Sequence, residues 1–171
     1  MKDKKNIALI GMPAVGKSTV GVLLAKKMGF DFMDTDIVIQ AKEHQTLAQI
    51  IARHGLKRFL EIEKQHLLDI RCTCHVIATG GSVIYKPEAM RHLAETCVIV
   101  YLAIDLDVLK TRLSDVITRG VAISPGKTID DLYRERVPLY EKYADLAVHC
   151  RKQFPEQVAK QIIQSIPEDR P

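Results

Sequence analysis

The stretch GMPAVGKST, Gly11 to Thr19, decides the fold. It matches G-x-x-x-x-G-K-[ST] at every defined position and follows the short apolar run Asn6–Ile10 directly. Glycines let a backbone wrap closely around phosphate oxygens, and successive N–H groups of such a loop point into one anion. A helical pattern opens near Lys17 and adds the positive end of its dipole. Gly11, Ala14, Gly16, Lys17, Ser18 and Thr19 are therefore the residues expected to hold a nucleoside triphosphate, ATP. Lys17 would reach the β- and γ-phosphates, and Ser18 would offer its hydroxyl to Mg2+.

Outward from this loop, short apolar runs alternate with longer amphipathic stretches. That is the pattern of a parallel sheet with crossover helices. Strands are expected at Asn6–Ile10, near Asp31–Met33, and at His75–Ala78, Cys97–Leu102 and Leu146–His149. The clearer runs lack strict alternation, as strands covered on both faces should. Helical patterns occupy Ser18–Met28, TLAQIIARHG from Thr46 to Gly55, Phe59–Ile70, the segment opened by Pro87, Asp105–Leu113, Thr128–Tyr143 and Pro155–Ile166. The expected fold is α/β: a P-loop NTPase fold in one domain, 1–171, with five parallel strands flanked by helices on both faces. Ser114–Lys127 holds two glycines and a proline between two helices, and a loop of that length in a compact domain is functional or mobile. We expect it to be a mobile lid, about 114–127.

Composition narrows the function. Lys and Arg exceed Asp and Glu by only four (25 minus 21), and no basic run is interleaved with aromatics, so no nucleic-acid partner is expected. The longest apolar runs are strand-length, which argues against a membrane span. The N-terminal apolar run is too short for a signal peptide, so the expected compartment is the cytoplasm and the four cysteines are expected reduced. CTCH, Cys72 to His75, lacks a second ligand pair at zinc spacing. A guanine-reading N-K-x-D tetrapeptide is absent, and the chain is short for a motor or transporter ATPase. A small phosphotransferase remains, expected as a monomer acting on a small hydroxylated metabolite.

Two further motifs support this. FDFMDTDI places Asp34 and Asp36 two residues apart at a strand end. Near a phosphate loop, one carboxylate can order the Mg2+ shell while the other accepts a proton from the attacking hydroxyl. VIATGGSVI ends a strand in Thr79, Gly80, Gly81 and Ser82, and adjacent glycines there let a ligand lie against bare backbone.

Through GMPAVGKST, FMDTD, GLKRFLEIE, VIATGGS, KTRLSDVITRG and RVPLY, the chain resembles the shikimate kinase family nearly end to end. That group belongs to the nucleoside-monophosphate-kinase-like P-loop folds. The resemblance implies that Asp34 serves Mg2+, and that Asp36 binds the acceptor hydroxyls and assists deprotonation. It implies that Gly80 and Gly81 line the acceptor pocket, Arg136 holds the acceptor carboxylate, and acceptor-binding helices fill about 36–72. Arg112 would stack on adenine, Pro155 would complete the adenine pocket, and Arg119 would close over the transferring phosphate with Lys17.

The match fails in one region. The family's acceptor helix reads G-E-x-x-F-R-x-x-E, but here Leu56 replaces the glutamate and Leu60 the arginine, between Gly55, Phe59 and Glu63. Leucine cannot make a bidentate, charge-assisted contact to a carboxylate. Lys57 and Lys64 share the helical face of Leu60 and are candidates to supply a charge, whereas Arg58 points elsewhere. The third pocket glycine is Ser82, and the lid pattern R-P-L-L reads Arg119-Gly120-Val121-Ala122. Shikimate is the first-named acceptor. The alternatives are another sugar acid, polyol or nucleoside, or a nucleotide-binding homologue without catalysis.

Overall fold

The computed structural model describes residues 5–113, 126–150 and 153–166. In chain order the elements are β1 (Asn6–Ile10), α1 (Lys17–Met28), β2 (Asp31–Asp34), α2 (Thr35–Glu43) and α3 (Leu47–Leu68). β3 (His75–Ala78), a 3-10 turn (Val83–Tyr85), α4 (Pro87–Thr96) and β4 (Cys97–Ala103) follow. α5 (Leu106–Leu113), α6 (Ile129–Tyr143), β5 (Leu146–His149) and α7 (Pro155–Ser165) complete the order.

All five strands pair in parallel in the order β2-β3-β1-β4-β5. β1 is central, with Leu9 opposite Ala78 on one side and Val100 on the other. Every residue of β1 and β4 is buried. Since alternate side chains face opposite sides of a sheet, both faces must be covered. α1 packs with α7, while α4 packs with α3 and, like α6, against β4. The connection leaving β1 runs toward the β2 edge and that leaving β3 toward β4, so a crevice opens outside their C-terminal ends.

Local chemistry sets the element ends. Asp34 caps α2, its Oδ1 accepting from the N–H groups of Asp36 (3.0 Å) and Ile37 (3.3 Å). That helix, Thr35–Glu43, falls within the stretch of about 36–72 where the resemblance implies acceptor-binding helices. Thr46 and Gln49 form the capping box expected at the start of α3. The two helices expected on either side of Gly55 are one element kinked there, with Gly55 at φ 77°, ψ 162°. Both arms of α3 and α2 bury a satellite cluster of Ile39, Leu47, Ile50 and Phe59, onto which Leu56 and Leu60 pack half-buried. No helix among the described residues is long and apolar enough to cross a membrane.

At the opposite end of the sheet from the crevice, buried Asn6 joins three segments. Its Nδ2 donates to the carbonyls of Cys72 (2.9 Å) and Thr96 (3.4 Å), and its Oδ1 accepts from His75 N–H (3.0 Å). Asn6→Leu leaves those backbone groups without their partner and should cost about 3 kcal/mol. Urea unfolding should show a lower midpoint with an unchanged slope.

Candidate active site

The loop after β1 is built for close approach. Gly11 has φ +145°, and a Cβ on it would sit 2.7 Å from the Leu102 carbonyl oxygen. Gly16 has φ +107°, and Ala14 accepts a left-handed φ of 61°. Lys17 folds back over the loop, its Nζ donating to the carbonyls of Gly11 (2.8 Å) and Met12 (2.9 Å). Burial lowers its pKa to about 8, against the attraction of Asp36. Ser18 and Thr19 are exposed at the loop's helical end. Ser18 Oγ donates to Asp34 Oδ2 at 2.6 Å, so the hydroxyl and carboxylate expected to serve a cation are already side by side.

Asp36 sits in the first turn of α2, and its buried Oδ1 has no hydrogen-bond partner among the described residues. Burial raises its carboxyl to about 6, against the pull of Lys17. A Cβ on Gly80 would lie 2.1 Å from Glu63 Oε1 and 2.9 Å from Asp36 Oδ1. A side chain here would push both carboxyl groups aside, and the two carboxyl oxygens converge on the bare Cα. A Cβ on Gly81 would lie 3.0 Å from Arg136 Nη1 and 3.2 Å from Pro13, which brings α6 against the phosphate loop.

Arg136, 1% exposed, donates from Nε to Tyr85 Oη (3.1 Å) and stacks over the Tyr85 ring. Tyr140, one turn along α6, donates to the Gly81 carbonyl at 2.6 Å and stacks on Tyr101 of β4. Lys17, Ser18, Asp34, Asp36, Gly80, Gly81 and Arg136 thus share one crevice. Arg112 lies beside the phosphate loop, donating to the Val15 carbonyl at 3.0 Å. Pro155 stands apart at the first turn of α7, whose contacts are with α1 and β5. Arg119 and most of the expected lid lie outside the described residues.

Glu63, Ser82, Tyr85, Tyr140 and Thr35 complete the site; Glu63 and Ser82 stood at positions of the family pattern without an assigned role, and the other three were not among the expected residues. Glu63 is fully buried, and both of its oxygens accept from Ser82 Oγ, at 2.8 and 3.0 Å. Burial raises its carboxyl to about 7, against the Ser82 hydrogen bond. Thr35 Oγ1 accepts from Gly80 N–H at 3.1 Å. A signal for Glu63 existed: it is an acid one turn beyond Phe59 on the buried face of an amphipathic helix. As for the proposed substitutes for a missing arginine, Lys64 is paired with Glu61 at 2.6 Å, and Lys57 is exposed.

Comparisons with known proteins agree with this architecture. The family model described as shikimate kinase matches residues 13–167. A shikimate kinase of Thermodesulfovibrio yellowstonii is 39% identical over 162 residues, covering 93% of each chain. The solved shikimate kinase of Acinetobacter baumannii, in complex with shikimate, superposes with a TM-score of 0.88 at 27% identity, covering 95% of this chain and 93% of that one. The shikimate kinase of Aquifex aeolicus gives a TM-score of 0.81 at 33% identity, covering 94% and 95%.

The buried acid has a consequence for stability. In the unfolded chain Glu63 loses its proton near its ordinary value of 4.5, while the folded chain keeps it to about 7. Between those values the folded state binds more protons, so this group's contribution to stability falls as pH rises. Glu63→Gln keeps the shape and removes the titration. Relative to wild type it should gain on the order of 3 kcal/mol between pH 4.5 and pH 7.5. Urea unfolding at the two pH values measures this, and parallel losses in both proteins would contradict it.

Proposed function

The chain belongs to the shikimate kinase family, and from that premise we propose that it transfers the terminal phosphoryl group of ATP to a hydroxyl of shikimate, a step toward the aromatic amino acids. The observation that carries the mechanism is the buried, unpartnered Oδ1 of Asp36, aimed at the bare face of Gly80 beside Lys17 and Arg136.

The acceptor lies against Gly80 and Gly81, with its carboxylate on Arg136. Asp36 orients the reacting hydroxyl and takes its proton. The hydroxyl oxygen bonds to the γ-phosphorus as the bond from phosphorus to the departing ADP oxygen breaks. Burial is what makes Asp36 basic enough: a carboxyl raised to about 6 is a better proton acceptor than an exposed one. Lys17 exchanges two carbonyl oxygens for phosphate oxygens and balances their charge. Arg136 is held in place by Tyr85, so little orientational freedom is lost when the acceptor binds.

Ser18 Oγ and Asp34 Oδ2, hard oxygen donors at 2.6 Å, fit Mg2+. When bound, the ion supplies charge neutralisation on the β- and γ-phosphates. Arg112 and Pro155 take the adenine side, and Arg119 with the loop at 114–127 acts as the lid that excludes water. We assign the enzyme to the cytoplasm as a monomer without nucleic-acid partners.

Asp36→Asn should lower kcat by roughly 10²- to 10⁴-fold, and Lys17→Ala should abolish transfer, both with unchanged circular dichroism. A coupled ADP-release assay over an acceptor panel tests the reading. Near-normal turnover by Asp36→Asn removes that residue from the base role. Turnover of a polyol or nucleoside but not of shikimate overturns the acceptor assignment.

A further inference from the structure

Glu63 is a carboxyl with no solvent exposure, and its hydrogen bonds among the described residues come from one hydroxyl, Ser82 Oγ. A hydroxyl has a single proton to donate and brings no charge. The charged groups that face Glu63 are Asp36 of α2, Arg136 of α6 and Lys17 of the phosphate loop, all acting through space rather than by hydrogen bond. Along α3, Leu60 is the neighbour three residues earlier on the same face. It packs onto the satellite apolar cluster and offers no donor.

The seam between α2 and α3 therefore changes character over one turn. Ile39 meets Phe59 and Leu60 in the apolar cluster, and one turn nearer the crevice Asp36 and Glu63 face Gly80. Ser82 sits at the junction. It follows Gly80 and Gly81 and opens the 3-10 turn, donating through its side chain to Glu63 while its carbonyl accepts from Tyr85 N–H at 3.0 Å. Tyr85 in turn receives Arg136. One hydroxyl thus links the acid wall of the pocket on α3 to the turn that seats its guanidinium. Clearance at this point is small, because Glu63 Oε1 comes within 2.1 Å of the place a Gly80 Cβ would occupy.

We propose that Ser82 is a positioning residue for acceptor recognition: where Leu60 supplies no donor, the Ser82 hydroxyl fixes the Glu63 carboxyl against Gly80 and sets the pocket's width. This rests on the shikimate reading given above. The role is one of binding geometry, so its loss should act on KM and leave the chemical step at Asp36 and Lys17 intact.

The test is a double-mutant cycle of Ser82→Ala and Leu60→Arg, with Ser82→Thr as the variant that keeps the hydroxyl. Ser82→Ala should raise the KM for shikimate about tenfold or more, with kcat within about threefold of wild type. Leu60→Arg added to Ser82→Ala should restore KM to within about threefold, because a guanidinium three residues before Glu63 gives the carboxyl a donor again. Ser82→Thr should stay close to wild type. An unchanged KM in Ser82→Ala, a loss confined to kcat, or an equal effect of Leu60→Arg in both backgrounds overturns the proposal. A second cycle, Ser82→Ala with Glu63→Met, which fills the same space without an oxygen acceptor, is read by thermal unfolding without substrate. A smaller Ser82→Ala effect once Glu63 is changed supports the link, and additive effects overturn it. Wild type that turns over no shikimate would sink the acceptor reading, while the unfolding cycle still judges Ser82 and Glu63.

Discussion

Five ionisable groups, Lys17, Asp34, Asp36, Glu63 and Arg136, share one poorly solvated crevice at the C-terminal ends of β1, β2 and β3. Keeping them in mutual balance is the constraint on which the rest of the site depends. Fully ionised, they would carry two positive and three negative charges. Phosphates and an acceptor carboxylate then bring more negative charge into the same space. Low dielectric makes each unpaired charge costly, so the crevice must hold protons or cations where water would otherwise screen. Raised carboxyls on Asp36 and Glu63 and the lowered ammonium of Lys17 are three expressions of that one constraint. The fold answers it by bringing a loop, two strand ends and three helices to one point. Gly80 and Gly81 are bare there because Glu63, Asp36, Arg136 and Pro13 already occupy the volume a side chain would need.

How much of this was legible in the sequence depended on distance along the chain. The phosphate loop, its lysine and serine, and the strand before them lie within fourteen residues, and their chemistry is local, so the pattern read directly. The parallel sheet was legible for a similar reason: its strands are continuous apolar runs, and all five appear at the expected places. Helices were expected over about 36–72, and α2 falls there; Asp34 at its start plays two parts, with one oxygen capping α2 and the other facing Ser18. The Glu63–Ser82 contact joins residues nineteen apart, across a helix end and a strand. No periodicity encodes such a meeting. Tyr140, whose hydroxyl holds the Gly81 carbonyl 59 positions away, was hidden for the same reason.

Leu56 and Leu60 show how a departure from the family pattern can be absorbed without loss of the surrounding fold. Both lie on the half of the α2–α3 seam that already buries Ile39, Leu47, Ile50 and Phe59, so leucine extends an existing apolar contact. A charged residue at position 60 would have to bridge from that cluster toward Glu63. The substitution removes a cation from the acid wall and leaves a buried carboxyl that still needs a donor. Ser82 supplies the hydrogen bond, because it occupies the place of the third pocket glycine and its hydroxyl faces α3.

The hydroxyl does not supply the charge. A guanidinium at position 60 would stabilise an ionised Glu63 with a full charge, whereas the Ser82 hydroxyl favours the ionised form with one neutral hydrogen bond, which burial outweighs. With Glu63 raised to about 7 by burial, the crevice carries less negative charge near neutrality than three ionised carboxylates would. A proton thereby does part of the electrostatic work that an arginine would do. Arg136 is then opposed by less negative charge within the crevice. Leu60, Ser82 and the protonation of Glu63 are in this sense one adjustment, distributed over two elements that meet only in the folded chain.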